Sequence, residues 1–429
     1  LIRSSILVTF FAVSGSTLGF LVQLILAKFF GISEAVDTYF FIISLPTVIS
    51  GLLAAILSFD LVPHLVRQVD DSQNHARLMG SIFIGIIFLA ALVLLFGGVI
   101  SKLQILALPI NSPIRFYENL ESLITLAWLA SAFQIINSCL AAMLNSVKNY
   151  IVSALLALLP YLGMIILLIT NANHPRIELL LIGLVLGTLF STLISIYLLR
   201  NFLFPLPWKK ILWKELSILA FRSPLTAMAI SCFSAYAVVD AYWAPQIGDG
   251  ALSSLGYAQR LIIGIGTLAV AGASAVVIPR ITELNTKKKF LDSRILFLRT
   301  VIFVGLIAIT LAMLTAIFSE PIVELLYGRG AFQANEVTVV SKLLQHMSFG
   351  MVAMVLSVIS LRILFSFEGM ALGAALIGIF WMLLYFFLSM LWYQEGVLGI
   401  GNAYSTSWVI TSALILLIIC IKYWKNNGQ

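Results

Sequence analysis

The chain is a succession of apolar runs, each about as long as a helix must be to cross a bilayer. Nothing else in the sequence limits the fold so strongly. A spanning helix needs roughly 20 mostly apolar residues. Twelve such runs lie near 4–28, 38–62, 78–100, 122–146, 150–171, 178–199, 223–246, 251–279, 300–318, 338–364, 369–392 and 401–421. They do not alternate apolar and polar residues, so they do not read as strands of a membrane barrel. The chain is 61% hydrophobic and 10% charged, whereas a soluble domain is about half apolar and a quarter charged. These features exclude a water-soluble enzyme, a nucleic-acid-binding domain and a disordered protein. The expected fold is an all-α polytopic membrane protein with about 12 transmembrane helices. Connections are short, leaving no room for a soluble domain between helices. The first run is too long for a signal-peptide core and lacks a small-residue cleavage site. Leu1 stands where Met would open a chain, so residues are expected to precede it.

The basic residues give an orientation. With the N-terminus in the cytoplasm, 18 of the 25 Lys and Arg fall in inner segments and 6 in outer ones, with Arg260 left inside a helix. Such a bias predicts both termini inside. A faint repeat predicts two halves. Pro63 of LVPHL and Pro279 of VVIPRI lie half a chain apart, as do LNSV (144–147) and LFSF (364–367). An even number of helices separates these pairs, so the halves run in parallel about an axis along the membrane normal. The expected division is an N-terminal lobe at 1–200 (helices 1–6), a linker at 201–222 and a C-terminal lobe at 223–429 (helices 7–12). Within the linker, WKKILWKELSILAF (208–221) has the lysines and aromatics of an amphipathic helix lying on the inner leaflet.

Chemistry-bearing residues are sparse. Cys139, Cys232 and Cys420 sit in apolar stretches with no CxxC and no histidine at ligand spacing, so neither disulfide nor metal site is expected. The four histidines (His64, His75, His174 and His346) form no catalytic set, and no phosphate-cradling Gly-rich loop follows a strand. The chain therefore reads as a non-enzyme without a cofactor, and any coupling would be to an ion gradient or the membrane potential.

Ionisable residues inside spans are costly, and so informative. Asp240 lies about six residues from the outer end of the seventh run and Arg260 about nine into the eighth, so both sit at similar depth, roughly 9 and 14 Å from that side. Arg260 is suited to an anionic substrate group with Asp240 tuning it, or the two form an ion pair closing the hairpin. Arg362 lies near the inner end of its helix, where snorkelling accounts for it. Asp37 opens the second helix, as a substrate contact or as a capping carboxylate. Pro46, with Ser50 and Gly51 beyond it, predicts a kink, serving a moving helix or a static bend. Ser14, Ser16, Thr17 and Gln23 on the first helix, with Gln134 and Asn137 on the fourth, either line a wet cavity or bond between helices.

Several strings fall into one pattern. GFLVQLILAKFFGISEAVDTYFFIISLP (19–46) followed by LVPHL resembles the opening helices of the MviN/MurJ-type lipid flippases. GYAQRL (256–261) leading to VVIPRI, and ELLYGRGAF (324–332) followed by a helix ending in LRILFSF (361–367), resemble later parts of that family. The family belongs to the multidrug/oligosaccharidyl-lipid/polysaccharide exporters, whose two six-helix lobes enclose a central cavity. The resemblance implies movement of an undecaprenyl-pyrophosphate-linked glycan, lipid II or an exopolysaccharide repeat unit, from the inner to the outer leaflet of the bacterial inner membrane. It implies membrane lipids as surroundings, cell-wall or polysaccharide synthesis proteins as partners, and no nucleic acid. By resemblance Arg260 matches a cavity arginine thought to meet the pyrophosphate, and Asp37 the acidic residue opening the second helix. Where the family places further arginines, this chain has Ser16, Val22, and Ser50 or Gly51, and a usual acidic position falls near Ala55. Two further C-terminal helices common in the lipid II flippases have no counterpart before Gln429, so a divergent member lacking them is expected. Two competing readings are a cation-coupled multidrug-type exporter and a transport-inactive scaffold of a glycan-assembly complex.

Overall fold

The computed structural model describes residues 2–57, 61, 65, 72–204, 224–367 and 369–426. Pro63 of LVPHL and the linker segment 208–221 lie outside the described residues. Among the described residues the chain is helical, with no strand. In order the helices are α1 (Ile2–Phe30), α2 (Glu34–Ile56), α3 (Ser72–Leu106), α4 (Leu120–Ser146), α5 (Tyr150–Leu156), α6 (Leu159–Thr170), α7 (Ile177–Leu203), α8 (Pro224–Ser234), α9 (Tyr236–Trp243), α10 (Ala251–Thr286), α11 (Phe290–Ile317), α12 (Ser319–Tyr327), α13 (Ala334–Leu364), α14 (Ala371–Trp392) and α15 (Val397–Asn426). Eleven helical stretches among the described residues are long and apolar enough to span a membrane. The expected eighth run, 251–279, lies within the 36-residue α10. Exposed Phe88 and Leu95 on α3, and Phe303 and Leu306 on α11, suit surfaces facing hydrocarbon rather than water.

Two expected single helices are broken. The run 150–171 divides into α5 and α6 around Leu158, because Pro160 has no N–H to return to the Leu156 carbonyl. The run 223–246 divides into α8 and α9 at Ala235, where the Ala235 N–H closes a tight turn on the Cys232 carbonyl at 3.1 Å. The segment between α11 and α13, read from sequence as a connection, holds the short amphipathic helix α12, which buries Val323 and Tyr327.

The chain forms two compact units, residues 1–30 with 34–227, and residues 31–33 with 228–429. In the first unit, α4 packs against α2, α3 and α7, and α6 packs along α7. Its core joins Leu78, Ile82 and Phe83 of α3 to Ile135, Cys139 and Met143 of α4 and Leu199 of α7. The α6–α7 approach is closer than side chains allow: a Cβ on Gly183 would lie 2.5 Å from the Gly163 carbonyl oxygen, and one on Gly187 2.3 Å from that of Leu159. Small residues four apart are how membrane helices bring their backbones together.

In the second unit α13 is the most buried span, packed by α10, α11 and α15. Gly350 admits α15, since a Cβ there would meet Ser405 Cα at 2.5 Å. The start of α13 is fixed by a capping box between Gln333 and Glu336, the Gln333 N–H donating to Glu336 at 2.8 Å. Glu336 also accepts the Ile32 N–H at 3.1 Å, and the Tyr257 hydroxyl donates to the Gly31 carbonyl at 3.0 Å. Gly31 has φ +59°, and a Cβ there would meet the Ala331 carbonyl oxygen at 2.8 Å, so the position needs glycine on both counts.

Candidate functional site

Asp240 lies on α9, buried, as a carboxylate in a span should be only if its lone pairs are met. Gln259 on α10 donates to one oxygen at 2.6 Å, and the Tyr385 hydroxyl on α14 donates to the other. An aromatic cluster adjoins it. Trp381 stacks with Tyr385 at 5.8 Å between centroids and lies 4.6 Å from Trp408, and Tyr404 meets Tyr385 edge-on. The hairpin pairing with Arg260 weighed from sequence is therefore not the arrangement found. The neighbouring Gln259 fills that place with a neutral amide.

Arg260 points elsewhere. It is exposed, on the same face of α10 as Gly264 and Thr267, which are also exposed. These positions follow at helical spacing. Among the described residues it has neither a hydrogen-bond nor an ion-pair partner. Its charge is felt by Tyr327 at the end of α12: burial pushes that phenol well above its ordinary range, and the Arg260 guanidinium draws it part of the way back. Tyr327 packs in turn with Tyr257 and Phe332 at 5.0 and 5.7 Å. The arginine thus lies within electrostatic reach of an aromatic cluster, its guanidinium unpaired among the described residues.

The first unit holds the remaining candidate substrate-contact and kink residues. Asp37 is buried in the first turn of α2, beside Glu34. Pro46 is buried in mid-helix, and Ser131 of α4 donates to its carbonyl at 3.0 Å. Ser44, two residues earlier, donates to the Phe41 carbonyl at 2.7 Å and accepts from Gln104 of α3 at 3.0 Å. Hydroxyls thus dress the stretch where proline interrupts the backbone ladder. Ser50 turns back onto the Thr47 carbonyl at 3.2 Å, and a Cβ on exposed Gly51 would meet nothing within 4 Å. Gln23 is buried on α1, and its Oε1 has no partner among the described residues.

Ser16 belongs to a cavity of about 540 Å³ within this unit, lined from α1, α4, the α5–α6 break and α7. Gln134 and Asn137 line it too, so three of the six residues read as wet or helix-bridging are brought together. Asn137 does both: its amide donates to the Thr188 carbonyl of α7 at 2.9 Å and accepts from Thr192 at 3.1 Å. Ser14 and Thr17 instead donate to their own helix, to the Phe10 and Val13 carbonyls. Sequence reading missed the cavity's other polar wall, Thr188, Ser191 and Ser195 of α7. Their spacing of three and four on one helix face was the available signal.

This fold is that of multi-pass transporters, as solved structures show. The chain aligns with a lipid II flippase MurJ in an inward closed conformation at TM-score 0.80 and 19% identity, covering 98% of this chain and 90% of that one. It aligns equally well, at TM-score 0.80 and 12% identity, with an inward-facing multidrug resistance MATE family transporter of the MOP superfamily, covering 96% of each chain. A MOP superfamily transporter from Pyrococcus furiosus aligns at TM-score 0.60 and 11% identity over 99% of this chain and 94% of that one. No curated protein matches in sequence. The class is therefore a helical, multi-pass membrane protein with the architecture shared by MurJ and MATE transporters. A family model, Lipid II flippase MurJ, matches residues 26–427, and the chain belongs to that family. The family is one of transporters, not of catalytic enzymes.

Proposed function

We propose that the chain is an alternating-access flippase moving an undecaprenyl-pyrophosphate-linked glycan from the inner to the outer leaflet. Both termini would lie in the cytoplasm. Family membership supports the class of substrate, and Arg260 carries the reading for this chain. A guanidinium exposed on a membrane helix, with no partner among the described residues, is too costly to keep as a structural element. A pyrophosphate is the fitting counterpart: its oxygens match the planar fork of donors. Asp240, already engaged by Gln259 and Tyr385, is placed to hold α9, α10 and α14 together rather than to neutralise Arg260. Asp37, Ser16, Gln23 and Ser50 are proposed contacts of the first unit, with Pro46 and Gly51 as the bend of α2. A multidrug-type exporter of cations is the second reading, favoured by the MATE neighbours. It is disfavoured by a free cation where a cationic substrate would need a free carboxylate.

The test is transport of lipid-linked glycan in reconstituted vesicles. Arg260→Ala should fold as a monodisperse protein and lose transport at least tenfold. Arg260→Lys should keep a part, since an ammonium supplies charge without the bidentate contact. Wild-type transport by a well-folded Arg260→Ala protein would remove Arg260 from the substrate site.

A further inference from the structure

The cavity of the first unit has a chemistry opposite to that around Arg260. Among the described residues no charged side chain lines its roughly 540 Å³, and amides and hydroxyls share the walls with apolar side chains. That volume is in the range of ligand sites, about 300–1,000 Å³, and far above a packing void. The lining holds Gln134, Asn145, Ser138, Ser191 and two tyrosines, Tyr150 and Tyr161. Gln134 is exposed, and its side-chain amide has no hydrogen-bond partner among the described residues, so it offers both donor and acceptor. Ser138 spends its proton on the Gln134 carbonyl at 2.9 Å, which leaves its oxygen as an acceptor. Leu156 and Pro160 also line the cavity, and Pro160 denies the Leu156 carbonyl its usual helical donor. A pyrophosphate would find no counter-charge here. An apolar chain would strand these groups without partners. A neutral group dense in hydroxyls and amides, with flat C–H faces to set against tyrosine rings, satisfies both halves of the lining.

We infer that this cavity is a subsite for the uncharged sugar portion of the cargo, separate from the arginine that meets its phosphates. The inference rests on the flippase reading and deepens it. The site is built, because the close α6–α7 contact at Gly163, Gly183 and Gly187 brings Pro160 and Tyr161 against the hydroxyl-bearing face of α7.

The experiment compares two probes in vesicles containing the full chain: undecaprenyl pyrophosphate carrying a disaccharide, and bare undecaprenyl pyrophosphate. The measured quantity is the ratio of their transport rates. Wild type should prefer the glycosylated lipid. Gln134→Leu and Ser191→Ala, which remove hydrogen bonding without adding bulk, should each lower that ratio by threefold or more, and the double variant by tenfold or more. Ser191→Phe, which fills the space, should do the same if it folds. Arg260→Ala should depress both rates and leave the ratio within twofold. A ratio unchanged in the folded double variant, or a wild type indifferent to the sugar, overturns the subsite while leaving the flippase reading intact. A wild type that moves neither lipid overturns the flippase reading, and the subsite with it.

Discussion

Replacing Gly183 by alanine adds one methyl group at the place where α6 and α7 run backbone to backbone. Its Cβ would lie 2.5 Å from the Gly163 carbonyl oxygen and 2.7 Å from both Gly163 C and Met164 Cα. Ordinary contact needs about 3.4 Å or more, so the helices must part by roughly 1 Å, an overpacking that typically costs about 1–3 kcal/mol. The obstructing atoms are backbone and cannot rotate away. For a unit of about 200 residues each kcal/mol is worth roughly 2–4 °C of melting temperature, which gives an expected loss of about 2–12 °C. Gly163→Ala should behave alike, because its Cβ would meet the Gly183 carbonyl oxygen at 2.2 Å. The double variant should cost less than the sum, since one separation relieves both clashes. Unfolding followed by tryptophan fluorescence in detergent measures the effect. Gly98→Ala is the control: it is also inside a helix, yet its Cβ would meet nothing within 4 Å, so only the better helix propensity of alanine remains. If Gly183→Ala and Gly163→Ala both melt within 1 °C of wild type, the close contact is not what holds α6 on α7. The cavity wall would then need another support.

Three further outcomes follow from named contacts. Asp240→Ala strands the Tyr385 hydroxyl and the Gln259 amide, each at about 1–3 kcal/mol, so the variant should aggregate on size-exclusion chromatography while Asp240→Asn stays monodisperse; equal behaviour of the two would refute the hydrogen-bonding role. In a background without Cys139, Cys232 and Cys420, a cysteine at Asn335 should react with an impermeant thiol reagent on intact cells and one at Lys288 should not; the reverse pattern would invert the proposed orientation. Glu283 is held below its ordinary range by hydrogen bonds from Lys287 and then Arg280, so whatever it adds to stability is present above about pH 4.5 and fades as pH falls further. Because all three side chains are exposed, Glu283→Gln should move the melting temperature by less than 1 °C at pH 7, and a larger drop would show that the pair bears on packing.

The sequence by itself determined the all-helical, membrane-spanning class, because a bilayer leaves no alternative for runs of about 20 apolar residues, while the breaks near Leu158 and Ala235 and the short α12 appeared only in the structure. It also marked Arg260 and Asp240, since charge inside such a run is conspicuous against so apolar a background. The order of family-like strings from Gly19 to Phe367 carried the family, which the match over 26–427 then showed. Partnership was not legible. Arg260 and Asp240 lie at similar depth, and both signs of charge made a pair plausible. Yet consecutive residues of a helix point about 100° apart, and only the packing of α9, α10 and α14 decided that Gln259, not Arg260, faces Asp240. The cavity was half legible: Ser16, Gln134 and Asn137 stood out, while Ser191 and Ser195 looked like ordinary small residues of a membrane helix. What joins the two halves is the approach of α6 to α7 through Gly163, Gly183 and Gly187. The spacing of Gly183 and Gly187 is visible in the sequence, but their partner is not. Glycine states only that a backbone may come close, and the tertiary structure settles which backbone does.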